Sequence, residues 1–207
     1  MSYLLDPGPS RKGWHRIQKM IQCPRLFALS YLTERPKESR PPVDPLTKGS
    51  LMHVGLAHHY ALQSPDWADK DLYSPHDSIE ALAQEQPVGH RSAWQKHVPQ
   101  VQAALADYIL HWAAEQWTPQ GIEHELCVNV FDEETNKTYF YTQRVDLVWK
   151  HPVTEKIWFV DHKTTMRFSP RTIGEYSMNG QFLGYQCIGQ EMFGDMWGGV
   201  LLNVIEW

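Results

Sequence analysis

The chain has 207 residues, 42% of them hydrophobic and 21% charged, with a formal charge of −5. This balance suits a single α/β domain with a sizeable core and gives no global sign of nucleic-acid binding. Three widely spaced cysteines (Cys23, Cys127 and Cys187) with no C-x-x-C disfavour a zinc ribbon or a disulfide framework, and no stretch approaches the roughly 18 apolar residues of a membrane span.

In chain order, "MSYLLDPGPSRKG" lacks an apolar core of signal-peptide length, which fits a reduced, cytoplasmic setting. "SRKGWHRIQKMIQCPRLFALSYLTE" (10–34) predicts two successive helices, with Ser10 capping the first and Pro24 in the first turn of the second. "RPKESRPPVDP" (35–45) reads as a proline-rich connection. Residues 46–63 predict a helix with Leu51, Val54 and Ala57 near one face with His53. His58 and His59 read as surface residues. Residues 64–95 read as a surface excursion with a short helix near 77–86. Residues 97–117 predict an amphipathic helix with Val101, Leu105, Ile109 and Trp112 in period.

The period then changes. Residues 123–133, 139–150 and 157–163 predict three strands of an antiparallel meander, with a turn around Asn136. Residues 179–194 predict a helix and 198–207 a last strand. The expected architecture is one α/β domain over 1–207. It has a central mixed sheet flanked by helices, an N-terminal helical part to about residue 63 and a core from about residue 97.

Charge is unevenly spread. Residues 1–50 carry nine Lys/Arg and four acids, a net of +5, and the remainder carries −10. A basic segment on an acidic body either meets a polyanion, through Arg16, Lys19 and Arg25 foremost, or is a solvated helix face. More specific is "FVDHKTT" (159–165). Asp161 and Lys163 lie two apart, on one face of a strand whose approach is apolar. Asp146, in "RVDLVW", can lie beside Asp161 on the neighbouring strand. Paired carboxylates repel unless a cation lies between them, and oxygen ligands suit Mg²⁺ or Mn²⁺. The plainer reading of Asp161 and Lys163 is a strand-end ion pair.

Together, "QCPRLFALSYL", "KGSLMHVGL", "RVDLVW", "FVDHKTT" and "QFLGYQ" resemble, in order, the motifs of the PD-(D/E)XK nuclease superfamily in its RecB-like branch. The resemblance spans about Cys23 to Asn203 and implies a restriction-endonuclease-like core. It implies that His53, Asp146, Asp161 and the backbone carbonyl of His162 bind Mg²⁺ or Mn²⁺. Lys163 would assist catalysis, and Gln181 and Tyr185 would contact the DNA backbone or steady Lys163 and the attacking water. Two departures stand out. Gln143 replaces the usual glycine before the second-strand aspartate. Cys23 stands where iron–sulfur members carry a cluster cysteine, but the three further cysteines near the C-terminus are lacking, so no iron–sulfur cluster is expected in this chain. The implied activity is metal-dependent DNA hydrolysis, first as an exonuclease. A structure-specific endonuclease and a catalytically silent DNA-binding or scaffold module are the alternatives. With no GxxxxGK[ST] motor motif, any helicase or recombination protein would be a separate partner.

Overall fold

A computed structural model describes residues 2–5, 8, 10, 12–33, 42–169, 173–174, 176 and 179–207. Most of the proline-rich connection expected at 35–45 therefore lies outside the described residues. Two short helices, α1 (Trp14–Gln22) and α2 (Pro24–Tyr31), lead into the long α3 (Asp44–Ala61). α4 (Pro75–Glu85), α5 (Val88–Gln95) and α6 (Val98–His111) follow. Then come β1 (Thr118–Asp132), β2 (Lys137–Lys150), β3 (Ile157–Thr165), α7 (Gly180–Phe193) and β4 (Trp197–Glu206). The sheet order is β1-β2-β3-β4. β1, β2 and β3 form the expected antiparallel meander, and β4 joins parallel to β3 after the α7 crossover. Parallel neighbours require such a crossover.

The sheet is covered on both faces. On one, α3 buries Leu51, Val54 and Tyr60 with Leu105 of α6 against Ile122, Leu147, Trp149 and Val160 of the sheet. Gly55 permits the close approach, since a Cβ there would meet Leu105 at 2.7 Å. On the other, Tyr185 and Ile188 of α7 pack on Leu126, Val145, Val148 and Phe159. Ile122 and Leu126 thus fall on opposite faces, as do Leu147 and Val145, although strict alternation would keep each pair together. The exchange occurs at Glu123 and Asp146. Glu123 has a positive φ of 47°, uncommon for a residue with a side chain. The slip turns over both strands at the level of the site.

Several local expectations change. Ser10 does not cap α1: Gly13 occupies that position, and Ser10 Oγ donates to the Thr142 carbonyl at 3.3 Å. Cys23 caps α2, its Sγ accepting from Leu26 N at 3.4 Å, and Pro24 takes the first turn as expected. α6 stops at His111 rather than reaching 117. There the chain turns so that Trp117 packs on Trp149, with ring centroids 5.2 Å apart, and tertiary stacking overrides helical period. The excursion at 64–95 holds two α-helices and a short 3-10 turn at Pro65–Trp67, not one helix. His58 is not at the surface but fully buried. Its Nε2 accepts from Leu5 N and its Nδ1 donates to the Tyr73 carbonyl, both at 3.1 Å. Burial lowers its pKa, so the neutral ring clamps two distant segments to α3. His59 is only partly buried.

Candidate active site

β2 and β3 pair from Lys150↔Ile157 to Leu147↔Val160. The next pair in that register would be Asp146 and Asp161, but there the ladder ends and the strands part. Asp146 Oδ2 accepts the backbone N–H of His162 across the gap at 2.7 Å. In an extended strand the N–H and C=O of one residue face the same neighbour. The His162 carbonyl is therefore turned toward this gap too.

Asp161 is fully buried. Its Oδ1 accepts from Gln181 Nε2 at 3.0 Å and lies 3.2 Å from Tyr185 Oη. Its Oδ2 makes an ion contact with Lys163 Nζ. This oxygen is therefore paired with an ammonium and not with a neutral donor. Burial, with Asp146 nearby, pushes the Asp161 carboxyl up to about 6 despite the opposing pull of Lys163. Burial disfavours the charged form of Lys163, but Asp161 and Asp146 outweigh it and hold its pKa above the ordinary value. A buried carboxyl whose charged form is disfavoured, set beside a second carboxylate, fits a cation site.

His53 on α3 enters from the other side, its Nδ1 3.5 Å from Asp146 Oδ2. The positive φ at Glu123 brings a further carboxylate to this point. Among the described residues, ligating atoms of His53, Glu123 and Asp146 lie within 4.8 Å of one another. These donors are a nitrogen and hard oxygens. With the Asp161 carboxyl on the same cavity wall they fit a small divalent cation. Glu123 was not singled out from the sequence. Its register opposite Asp146 becomes visible only once β1 and β2 are paired.

His53, Glu123, Asp146, Asp161, Lys163 and Gln181 line one cavity of about 390 Å³, also bounded by Trp14, His15 and Gln18 of α1. Of the remaining expected site residues, Tyr185 is fully buried. Its hydroxyl donates to the Arg144 carbonyl at 2.8 Å and accepts from Gln181 Nε2 at 2.8 Å. It therefore props Gln181 and Asp161 from below and cannot touch DNA. Arg16, Lys19 and Arg25 are not on the cavity wall. Arg16 and Lys19 instead lie over the Tyr31 ring, at 4.5 and 5.1 Å. The helical face of α1 explains the difference: His15 and Gln18 turn to the cavity, so Arg16 and Lys19 turn away. The unusual Gln143 is buried. It donates to the Tyr141 hydroxyl and, at 3.4 Å, to the Gln181 carbonyl, which ties β2 to α7 where a glycine could not.

The His162 side chain points into the α3-side core. It stacks on Tyr60, with centroids 6.0 Å apart and ring planes at 7°. Burial pushes its pKa down to about 4, so it is neutral, and its Nδ1 accepts from Asn203 Nδ2 at 2.8 Å.

Comparison with individually curated proteins finds no match. The family model of the PD-(D/E)XK nuclease superfamily matches residues 14–204. With nearly the whole sequence covered, the chain belongs to the PD-(D/E)XK nuclease superfamily.

Proposed function

We propose that this chain is a metal-dependent DNA exonuclease of the RecB-like branch, working as one nuclease domain with Mg²⁺ or Mn²⁺. The observation that carries the reading is the opposition of Asp146 and Asp161 where β2 and β3 part, with Lys163 set against Asp161. The order of the sequence motifs supports the RecB-like branch and, with it, action at DNA ends. The lack of a motor motif leaves any unwinding to a separate helicase or recombination partner. No described helix is long and apolar enough to cross a membrane.

His53, Glu123, Asp146 and Asp161, with the His162 carbonyl, would hold the cation. When bound, it would supply a water of lowered pKa and neutralise charge on the scissile phosphate. Gln181 and Tyr185 fix one oxygen of Asp161, leaving the other directed at Lys163 and the site. The His162 N–H fixes the rotamer of Asp146. Lys163, kept protonated by the two carboxylates, holds a positive charge at the cavity wall where negative charge grows during attack.

Digestion of end-labelled linear DNA and closed circular DNA, single- and double-stranded, tests this. Linear DNA should be degraded from its ends only when Mg²⁺ or Mn²⁺ is added, with closed circles left intact. Cleavage of closed circles would assign an endonuclease, and metal-dependent binding without cleavage would assign a silent DNA-binding module.

A further inference from the structure

Beside the active-site cavity, on the opposite face of α1, lies an apolar groove of about 430 Å³. We propose that this groove is a stacking platform for unpaired bases of single-stranded DNA entering the active site. The proposal rests on the nuclease reading and names its substrate class. The groove is formed by Met20 and Phe27 from the helices and by Tyr139 and Phe140 from the β1–β2 hairpin, with Lys12 and Arg16 among its walls. Phe140 is 58% exposed and Tyr139 48%. Water contact at exposed aromatic rings is a cost that base stacking removes.

The charges complement this occupant. Lys12 Nζ lies 5.5 Å over the Phe140 ring, and the Arg16 guanidinium lies 5.6 Å over Phe27. Among the described residues, no acidic side chain lines the groove. Rings with cations beside them fit a strand that presents π faces and phosphates alternately. A duplex hides its base faces inside the stack and offers only phosphates. The groove neighbours the site without sharing a lining residue with it. α1 is the ridge between them, with Arg16 and Met20 on the groove side and His15 and Gln18 on the cavity side. At the sheet, Tyr141 lines the groove and accepts a hydrogen bond from Gln143, which lines the cavity.

Fluorescence anisotropy in EDTA reads binding apart from cleavage. The probes are a labelled oligothymidine, a blunt duplex of equal length and the matching oligouridine. The variants are Phe140→Ala, Tyr139→Ala, the double variant and Phe140→Trp, with circular dichroism confirming the fold. Wild type should bind the single strand more tightly than the duplex. Each alanine should weaken single-strand binding about tenfold and leave the duplex unchanged, while Phe140→Trp keeps the affinity. Unchanged single-strand affinity in the double variant overturns the platform. So does equal loss for strand and duplex, tighter binding of oligouridine than of oligothymidine, or loss only of self-association in sedimentation. Cleavage of plasmid and linear DNA with Mn²⁺ is scored separately. Absent cleavage with selective single-strand binding overturns the nuclease reading while supporting the platform, and full cleavage with unaltered affinity in the double variant overturns the platform alone.

Discussion

On the α7 side of β3, the buried Asp161 is in ion contact with Lys163, which reaches the cavity wall. On the α3 side, the intervening His162 enters a chain of hydrogen-bonded polar groups. His162 accepts from Asn203, whose Nδ2 also donates to Tyr108 Oη at 2.9 Å. Tyr108 Oη lies 2.8 Å from Tyr60 Oη, which in turn donates to Glu115 at 3.3 Å. One strand thus carries a hydrogen-bonded polar network on one side and a charged pair at a cavity wall on the other. Hydrogen-bonded buried polar groups rigidify a core. A perturbed charged pair in a cleft marks a candidate functional site. The α3 side fixes where the strand lies, and the α7 side is arranged for a cation and a phosphate.

The comparison breaks most sharply at Lys163. Lys163→Ala should lower the cleavage rate by about 10²–10³, or roughly 2.7–4 kcal/mol of transition-state stabilisation. Calorimetric metal titration should show affinity retained, since lysine is no ligand here. A variant cleaving at close to the wild-type rate would return Asp161 and Lys163 to a plain ion pair. Asp161→Ala should lose metal affinity together with activity.

Next in size is a pH effect. Asp161 titrates at about 6 in the fold, against about 3.9 in an unfolded chain. Below about pH 4 the group is protonated in both states and its contribution to stability is full. Between about pH 4 and 6 the unfolded chain ionises first, and that contribution is lost. The metal-free protein should lose roughly 1–3 kcal/mol from this group as pH rises through that window. Thermal melts of wild type and Asp161→Asn over pH 4–7 check this: the variant should show a flatter slope. Adding Mn²⁺ at pH 7 should raise the wild-type melting temperature and leave that of Asp161→Asn nearly unmoved.

His53 and His58 carry the same contrast along one helix. His58→Ala leaves the Leu5 N–H and the Tyr73 carbonyl without their partner and should cost about 1–3 kcal/mol in urea unfolding, with metal affinity kept. His53→Ala should do the reverse, weakening metal binding while stability changes by less than about 0.5 kcal/mol. The smallest effect belongs to the polar network on the α3 side. Tyr60→Phe removes one hydroxyl between Tyr108 and Glu115 and should cost about 1 kcal/mol of stability with little change in cleavage. A large loss of cleavage in Tyr60→Phe would show that the two sides of β3 are coupled.

The sequence by itself determined the strands, because their alternation and turn residues are local. It also determined the likeness carried by "RVDLVW", "FVDHKTT" and "QFLGYQ", because the motifs need only order and spacing. Asp161 and Lys163 were legible as a same-face pair since a strand repeats every two residues. Gln181 and Tyr185 were legible as neighbours on a helix, but burial decided that Tyr185 supports Asp161 and never meets solvent. Tertiary structure alone decided the rest. Glu123 reached the site through a left-handed backbone that breaks the alternation on which sequence reading depends. Arg16 and Lys19 turned from the cavity because packing chose which face of α1 it would see. His58 went inside because two segments far from it in sequence needed its ring nitrogens. Each of these outcomes depends on which distant atoms meet, and no local period records that.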